Sequence, residues 1–241
     1  LNGVVVTSEE GTPQGGPLSP LLANIMLDDF DRELTRRGHK FVRYADDCNI
    51  YVRSFRAGQR VLNSITQYLE GKLKLKVNQE KSAVDRPWRR KFLGFSFYIS
   101  KQVGIRLAPK TIERLKERVR ALTQRSKPIP LEQRVEKLSQ YLQGWLGYYS
   151  LADAKRVLPE IDKWIRHRLR MCVWKQWKKP KTRIRELRAH GAPEWMALGY
   201  GNTRKGPWAA SALLNSVLTN VYWQKLGLVS LTDRYLVIRN A

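Results

Sequence analysis

At 241 residues, with 42% hydrophobic and 10% aromatic side chains, the chain can bury the core of one or two domains, which excludes a disordered tail or a disulfide-stapled mini-protein. Forty-five Lys and Arg stand against 21 Asp and Glu, a net charge of +24 that marks a binder of polyanions. No apolar run reaches the length of a membrane span, so nucleic acid rather than a bilayer is the expected partner.

The charge is uneven: residues 1–108 carry 18 basic and 11 acidic side chains, net +7, whereas 109–241 carry 27 and 10, net +17. The second half is therefore the stronger polyanion binder. Cys48 and Cys172 are far apart and neither belongs to a CxxC pair, which argues against a disulfide framework or zinc knuckle and fits a reducing, cytoplasmic setting. His39, His167 and His190 are scattered and are expected to be solvated or locally bonded. Position 1 is Leu, and Val4 to Val6 read as the end of a strand already under way, so the chain is expected to be a piece of a longer protein.

Residues 9–20, EEGTPQGGPLSP, form a Gly- and Pro-rich loop in which Ser19 is the expected N-cap and Pro20 the first residue of a helix. Leu22, Met26, Phe30 and Leu34 recur every four residues, and Gly38 supplies the stop. In the loop, Gly15 and Gly16 let a ligand approach the backbone, and Gln14 offers both a donor and an acceptor. Residues 41–52, FVRYADDCNIYV, read as two strands joined by a tight turn at Asp46 and Asp47. Two adjacent negative charges at a hairpin tip are either solvated or neutralised by a divalent cation, and oxygen-only ligation favours magnesium or manganese.

A second amphipathic helix runs through Val61, Leu62, Ile65, Tyr68 and Leu69, and Gly71 follows it. Residues 73–77, LKLKV, alternate strictly and predict a one-sided strand that leads into an Asn-x-x-Lys turn, in which Lys81 could reach a phosphate. Residues 92–98, FLGFSFY, and 103–107, VGIRL, predict an aromatic hairpin, with Gly94 marking either a bulge or the close approach of another backbone. From Pro109 the pattern becomes helical: a first stripe through Ile112, Leu115, Val119 and Leu122, a second through Val135, Leu138, Leu142 and Trp145, and a third run from Asp153 to about Trp177. The third run carries Lys163, Arg166, Arg168, Arg170, Lys175, Lys178 and Lys179, interleaved with Trp, a pattern suited to nucleic-acid backbone and exposed bases. The tail, 180–241, adds Lys181, Arg183, Arg204 and Lys205 and an apolar helix expected through Leu213, Leu214, Val217 and Leu218, together read as a compact appended module. The fold class predicted is α+β.

The order of these pieces is specific: a QGGP loop opening a helix, an acidic hairpin, a basic Asn-x-x-Lys turn and a Phe-Leu-Gly-Phe strand. It resembles the palm of reverse transcriptases. The wording GTPQGGPLSPLLANIMLDDFD, FVRYADD and KFLGFSF is similar to the group II intron-encoded reverse transcriptase/maturase family, and YLQGWLGYY, WKKPKTRIRELRAHG and GNTRKGPW extend the likeness into that family's thumb and C-terminal region. No Cys/His cluster of an endonuclease follows within the sequence.

The resemblance implies a partial palm over 1–108, an antiparallel sheet with packed helices and its front missing. A three-helix maturase thumb over 109–179 and a mostly helical nucleic-acid-binding module over 180–241 would complete the chain. It implies RNA-directed DNA polymerase activity with two magnesium ions held by Asp46, Asp47 and a third carboxylate from an earlier strand. Lys81 would protonate pyrophosphate. Pro13, Gln14, Gly15, Gly16, Tyr44 and Ala45 would line the template base and incoming nucleotide, and Phe92, Leu93, Gly94 and Phe95 would grip the primer end. The implied partners are group II intron RNA, an RNA template with a DNA primer, target DNA, deoxynucleoside triphosphates and the upstream part of the same polymerase. Asp28, Asp29 and Asp31 do not replace the third ligand; they are expected to solvate the outer face of their helix. Residues 1–241 alone are accordingly expected not to polymerise, and detectable primer extension by the purified chain would overturn that expectation.

Overall fold

The computed structural model describes residues 17–100 and 102–240. Val4 to Val6 and the QGG loop with Pro13, Gln14, Gly15 and Gly16 lie outside the described residues. The chain divides into two compact units between Phe92 and Leu93.

In the first unit, helix α1 (Ser19–Arg36) leads into an antiparallel hairpin of β1 (Lys40–Tyr44) and β2 (Asp47–Tyr51), followed by helix α2 (Phe55–Gly71). Leu18, not Ser19, is the N-cap of α1, and Ser19 and Pro20 begin the helix itself. At the other end, Gly38 and His39 donate backbone N–H groups to the carbonyls of Thr35 and Leu34, closing the helix. The four-residue stripe is only half used: Phe30 and Leu34 are buried, while Leu22 and Met26 stay exposed beside Leu21 and Ile25. Helix α2 starts where the Ser54 hydroxyl accepts from the Ala57 N–H at 3.2 Å. Phe30, Leu34 and Ile65 form a small core, against which Phe41, Cys48, Ile50, Val61 and Tyr68 pack.

The strand predicted over 73–77 does not form. Lys74 takes a positive φ of 57° and the Leu75 N–H returns to the Leu69 carbonyl at 2.9 Å, so the segment folds back on the end of α2 instead of joining a ladder. The alternation survives only as burial: Leu73, Leu75 and Val77 are half-buried, and Lys74 and Lys76 are exposed.

The second unit opens with the hairpin of β3 (Phe95–Ile99) and β4 (Val103–Leu107), paired Phe95 to Leu107 through Ile99 to Val103. Helices α3 (Pro109–Leu122), α4 (Leu131–Tyr149) and α5 (Leu158–Gln176) follow, then α6 (Pro180–Ala189), α7 (Glu194–Gly201), α8 (Pro207–Ala210), α9 (Asn220–Lys225) and α10 (Leu231–Asn240). The third predicted helix starts later than Asp153, at Leu158. The apolar helix expected around Leu213 is a short 3-10 turn, Leu213–Asn215, which still buries Leu214 and Leu218 before extended backbone at Thr219 breaks the run ahead of α9.

One apolar core runs from Leu107 through Leu115, Leu142, Ile165 and Trp174 to Leu187, Trp223, Leu231 and Tyr235, so thumb-like and tail helices share it. Polar ties reinforce the sharing. The buried Asp162 carboxylate of α5 accepts from the N–H groups of Leu231 and Thr232 at 3.0 and 2.9 Å and from the Thr232 hydroxyl at 2.7 Å, capping α10 from another helix. The Ser139 hydroxyl of α4 donates to the Gly227 carbonyl at 2.9 Å, and the Tyr235 hydroxyl donates to the Ala152 carbonyl at 3.0 Å. Among the described residues no helix is long and apolar enough to cross a membrane.

Candidate polymerase site and nucleic-acid surface

The β1–β2 register pairs Tyr44 with Asp47 and leaves Ala45 and Asp46 as a two-residue loop. Such loops need positive φ to match the strand twist. Ala45 supplies it at 51°, a conformation that costs a non-glycine residue about 1–2 kcal/mol. Asp46 and Asp47 are both exposed at the tip, and so are Tyr44 and Ala45. Among the described residues neither carboxylate is in an ion pair, and no group of three His, Cys, Asp or Glu side chains converges to hold a metal. Two adjacent, exposed carboxylates with all-oxygen donors fit part of a magnesium site.

The strand face opposite Asp47 and Asn49 carries Phe41, Arg43, Cys48 and Ile50, with Arg43 directly across from Cys48. Phe41, Cys48 and Ile50 pack on the small core, and Arg43 reaches helix α1. Its Nε and Nη2 donate to the Asp31 carboxylate at 2.8 and 2.6 Å, and its Nη1 donates to the Ala45 carbonyl at 2.9 Å and the Asn24 side chain at 3.1 Å. Asp31 therefore does not solvate the outer face of α1. Its carboxylate clamps the hairpin, and the hydrogen bond to Asp31 raises the Arg43 pKa further. Asp28 does sit in an exposed pair, with Arg32 one turn on. Burial, with the Asp31 charge adding to it, pushes the Cys48 thiol up to about 11, so the thiol beside the aspartate turn is protonated and unreactive near neutral pH.

Lys81 is exposed on a turn that Asn78 makes: the Asn78 side chain accepts from the Lys81 N–H at 3.1 Å, and its carbonyl accepts from Ser82 at 2.9 Å. Arg90 Nη2 donates to the Lys81 carbonyl at 2.7 Å.

In the second unit, Leu93 and Gly94 form a turn with φ of 52° and 82° just before β3. The Gly94 carbonyl accepts from the Thr111 hydroxyl at 2.7 Å and the Ala108 N–H at 3.0 Å, and the Tyr148 hydroxyl donates to the Leu93 carbonyl at 3.2 Å. The space a Gly94 Cβ would need is filled by the Tyr149 ring, 2.6 Å from its hydroxyl. What comes close at Gly94 is thus not another backbone but the Tyr149 and Thr111 side chains of α4 and α3. Phe95 stacks on Tyr148 at 5.7 Å and lies 5.3 Å from the Tyr149 ring, so the two tyrosines of YLQGWLGYY hold Leu93 to Phe95.

The basic side chains separate into two groups. Lys163, Lys175, Lys178, Lys179, Lys181, Arg204 and Lys205 are exposed, and Arg166 lines an open cleft of about 230 Å³ between α5, α9 and the start of α10. Arg170, by contrast, is buried, and its Nε and Nη2 both donate to the Leu218 carbonyl at 3.1 and 3.0 Å. It ties α5 to the tail and does not face a nucleic acid. Removal from water lowers its pKa to about 10, which leaves it charged at neutral pH. Arg168 is half-buried, donating to the Thr123 hydroxyl at 2.6 Å and lying over the Trp164 ring at 5.4 Å. Arg183 is also half-buried, donating to the Trp177 carbonyl at 2.8 Å over the Trp174 ring at 4.5 Å. Both are chiefly structural. His167 is locally bonded, to the Ser211 hydroxyl at 2.8 Å.

Sequence reasoning passed over the exposed indoles of Trp195 and Trp208, which add ring faces to the basic tail. Their position in a Lys- and Arg-rich segment was the available signal.

A carboxylate-tipped hairpin with packed helices, followed by an aromatic hairpin and a helical basic unit, defines a partial polymerase palm with a helical region after it. Residues 2–97 match the family described as Reverse transcriptase (RNA-dependent DNA polymerase), and residues 112–191 match the Group II intron, maturase-specific domain. The chain belongs to the group II intron reverse transcriptase/maturase family. It is also similar to Protein YkfC of Escherichia coli (strain K12), 30% identical over 116 residues, a match covering 34% of this chain and 30% of YkfC.

Proposed function

We propose that the chain is part of an RNA-directed DNA polymerase of a group II intron, which binds its intron RNA to assist splicing and copies RNA into DNA during retrohoming. The observation that carries this reading is the Asp46-Asp47 pair at the tip of a hairpin whose register and turn are fixed. Two magnesium ions, when bound, would neutralise charge on the attacking 3′-oxygen and on the leaving pyrophosphate. Asp46 and Asp47 would supply part of the ligand set, and a third carboxylate from a strand upstream would complete it. Tyr44 and Ala45, with Pro13, Gln14, Gly15 and Gly16, would position the template base and incoming deoxynucleoside triphosphate; Lys81 would donate a proton to pyrophosphate.

Phe92, Leu93, Gly94 and Phe95 would orient the primer end. Residues 1–108 act as palm in this reading and 109–179 as thumb. Exposed basic and aromatic side chains of residues 109–179 would contact the primer–template and the folded intron RNA, and those of residues 180–241, the nucleic-acid-binding C-terminal region, would contact target DNA.

The charge of +17 on residues 109–241 and the maturase-specific match favour a second reading, an RNA-binding maturase or ribonucleoprotein subunit without polymerase activity. Assaying the full-length polymerase for RNA-templated primer extension and for splicing of its precursor RNA separates the two. Magnesium-dependent extension is expected; splicing activity with no extension under any metal or template condition would establish the binder.

A further inference from the structure

Arg43 is placed where it can act on the aspartate turn from behind. It lies on the core-facing side of β1, two residues before Ala45, and its guanidinium spans three partners: the Asp31 carboxylate through Nε and Nη2 at 2.8 and 2.6 Å, the Asn24 side chain at 3.1 Å and the Ala45 carbonyl at 2.9 Å. The last contact falls on the residue whose φ of 51° is disfavoured for any side chain larger than hydrogen. Asp31 is itself on helix α1, so the turn is referred to a rigid element and not to solvent. The pair also solves a charge problem. An unpaired arginine this close to Asp46 and Asp47 would compete with divalent cations for them, whereas Asp31 neutralises Arg43 and leaves its remaining N–H groups to work as hydrogen-bond donors.

We propose that Arg43, aimed by Asp31, is a positioning residue for nucleotide addition: it holds Ala45 in its left-handed conformation and so sets where the Asp46 and Asp47 carboxylates lie. This rests on the reading of those two aspartates as metal ligands. A lysine cannot substitute, because its single point charge cannot bridge a carboxylate in two-point fashion and reach the turn carbonyl as well.

The test is RNA-templated single-nucleotide extension by the full-length polymerase. Arg43→Lys is expected to lower kcat about tenfold or more and to raise the magnesium concentration giving half-maximal rate, with the primer–template KM within about twofold of wild type. Ala45→Gly is measured alone as the reference for any effect of the Ala45 methyl on nucleotide binding; in that background Arg43→Lys is expected to lower kcat by less than about twofold, since glycine adopts the turn conformation without help. A role in general packing would give the same loss in both backgrounds. Wild-type kcat in Arg43→Lys alone, or a loss from Arg43→Lys as large with glycine at position 45 as with alanine, overturns the proposal. If Arg43→Lys does not accumulate as folded protein, Asp31→Asn carries the same expectation for kcat and magnesium, and a wild-type profile there overturns it. Asp46→Ala run alongside keeps the two ideas apart: extension by that variant removes the metal reading itself, while its inactivity beside a wild-type Arg43→Lys removes the clamp alone.

Discussion

Asp46→Ala in the full-length polymerase is expected to reduce RNA-templated extension by about a thousandfold or more, equivalent to ~4 kcal/mol of transition-state stabilisation. The size follows from where the residue sits. Asp46 is one of two loop residues in a hairpin closed by the Tyr44–Asp47 pair, and it is exposed. Its side chain contributes nothing to the small core of Phe30, Leu34 and Ile65, so truncating it leaves the fold in place. The loss therefore falls on chemistry. Binding of intron RNA, which the proposed function assigns to exposed cations such as Lys163, Lys175 and Lys178, is expected to change by less than about twofold, since those cations belong to the other compact unit. Filter binding and single-turnover extension on the same preparation make the comparison. Equal extension by variant and wild type would remove the metal role.

Gly94→Ala should have the largest effect in the second unit: a loss of about 2–4 kcal/mol in stability, measured as a lower denaturant midpoint. Two penalties coincide. The φ of 82° is strained for alanine, and the new Cβ would stand 2.6 Å from the Tyr149 hydroxyl and 3.0 Å from the Thr111 hydroxyl. Tyr149 has little room to yield, because its ring is packed by Trp145 at 4.8 Å, Tyr148 at 4.7 Å and Phe95 at 5.3 Å. The Thr111 hydroxyl is held in turn by its bond to the Gly94 carbonyl. An unchanged midpoint would mean that the turn relaxes in a way this packing forbids.

Much of this was legible in the sequence where the pattern is local. Helices α3 and α4 follow four-residue apolar stripes whose members, Leu115, Val119, Val135, Leu138 and Leu142, are buried as their spacing requires. The acidic turn was legible to within one residue, because strand formers flank it on both sides; the loop is Ala45-Asp46 rather than Asp46-Asp47, and Asp47 already begins β2 opposite Tyr44. What depends on distant partners was not. The LKLKV segment carries the alternation of a strand, but pairing is a property of two segments, and the bond from Leu75 back to Leu69 prevailed. Arg170 could not be told from its basic neighbours, because the sequence does not say where along α5 the helix is enclosed on all sides; Leu169 to Trp174 are six consecutive buried residues, whereas Lys163 and Lys175 of the same helix are exposed. The Arg43–Asp31 pair joins residues on different elements, and nothing in either neighbourhood announces it.

The core that α3 to α10 have in common bears on how such chains can be rearranged. A module that recombines freely must bring its own interior, yet Asp162 of α5 caps α10, Ser139 of α4 holds the chain at Gly227, and Arg170 anchors the stretch at Leu218. A chimera joined near Pro180 would cut through one interior and expose the apolar faces of both parents. Under the proposed function, swaps of intron or target preference between relatives should therefore travel with the whole of residues 93–241, and the side chains free to diverge are the exposed cations and indoles on its surface rather than the helices that carry them.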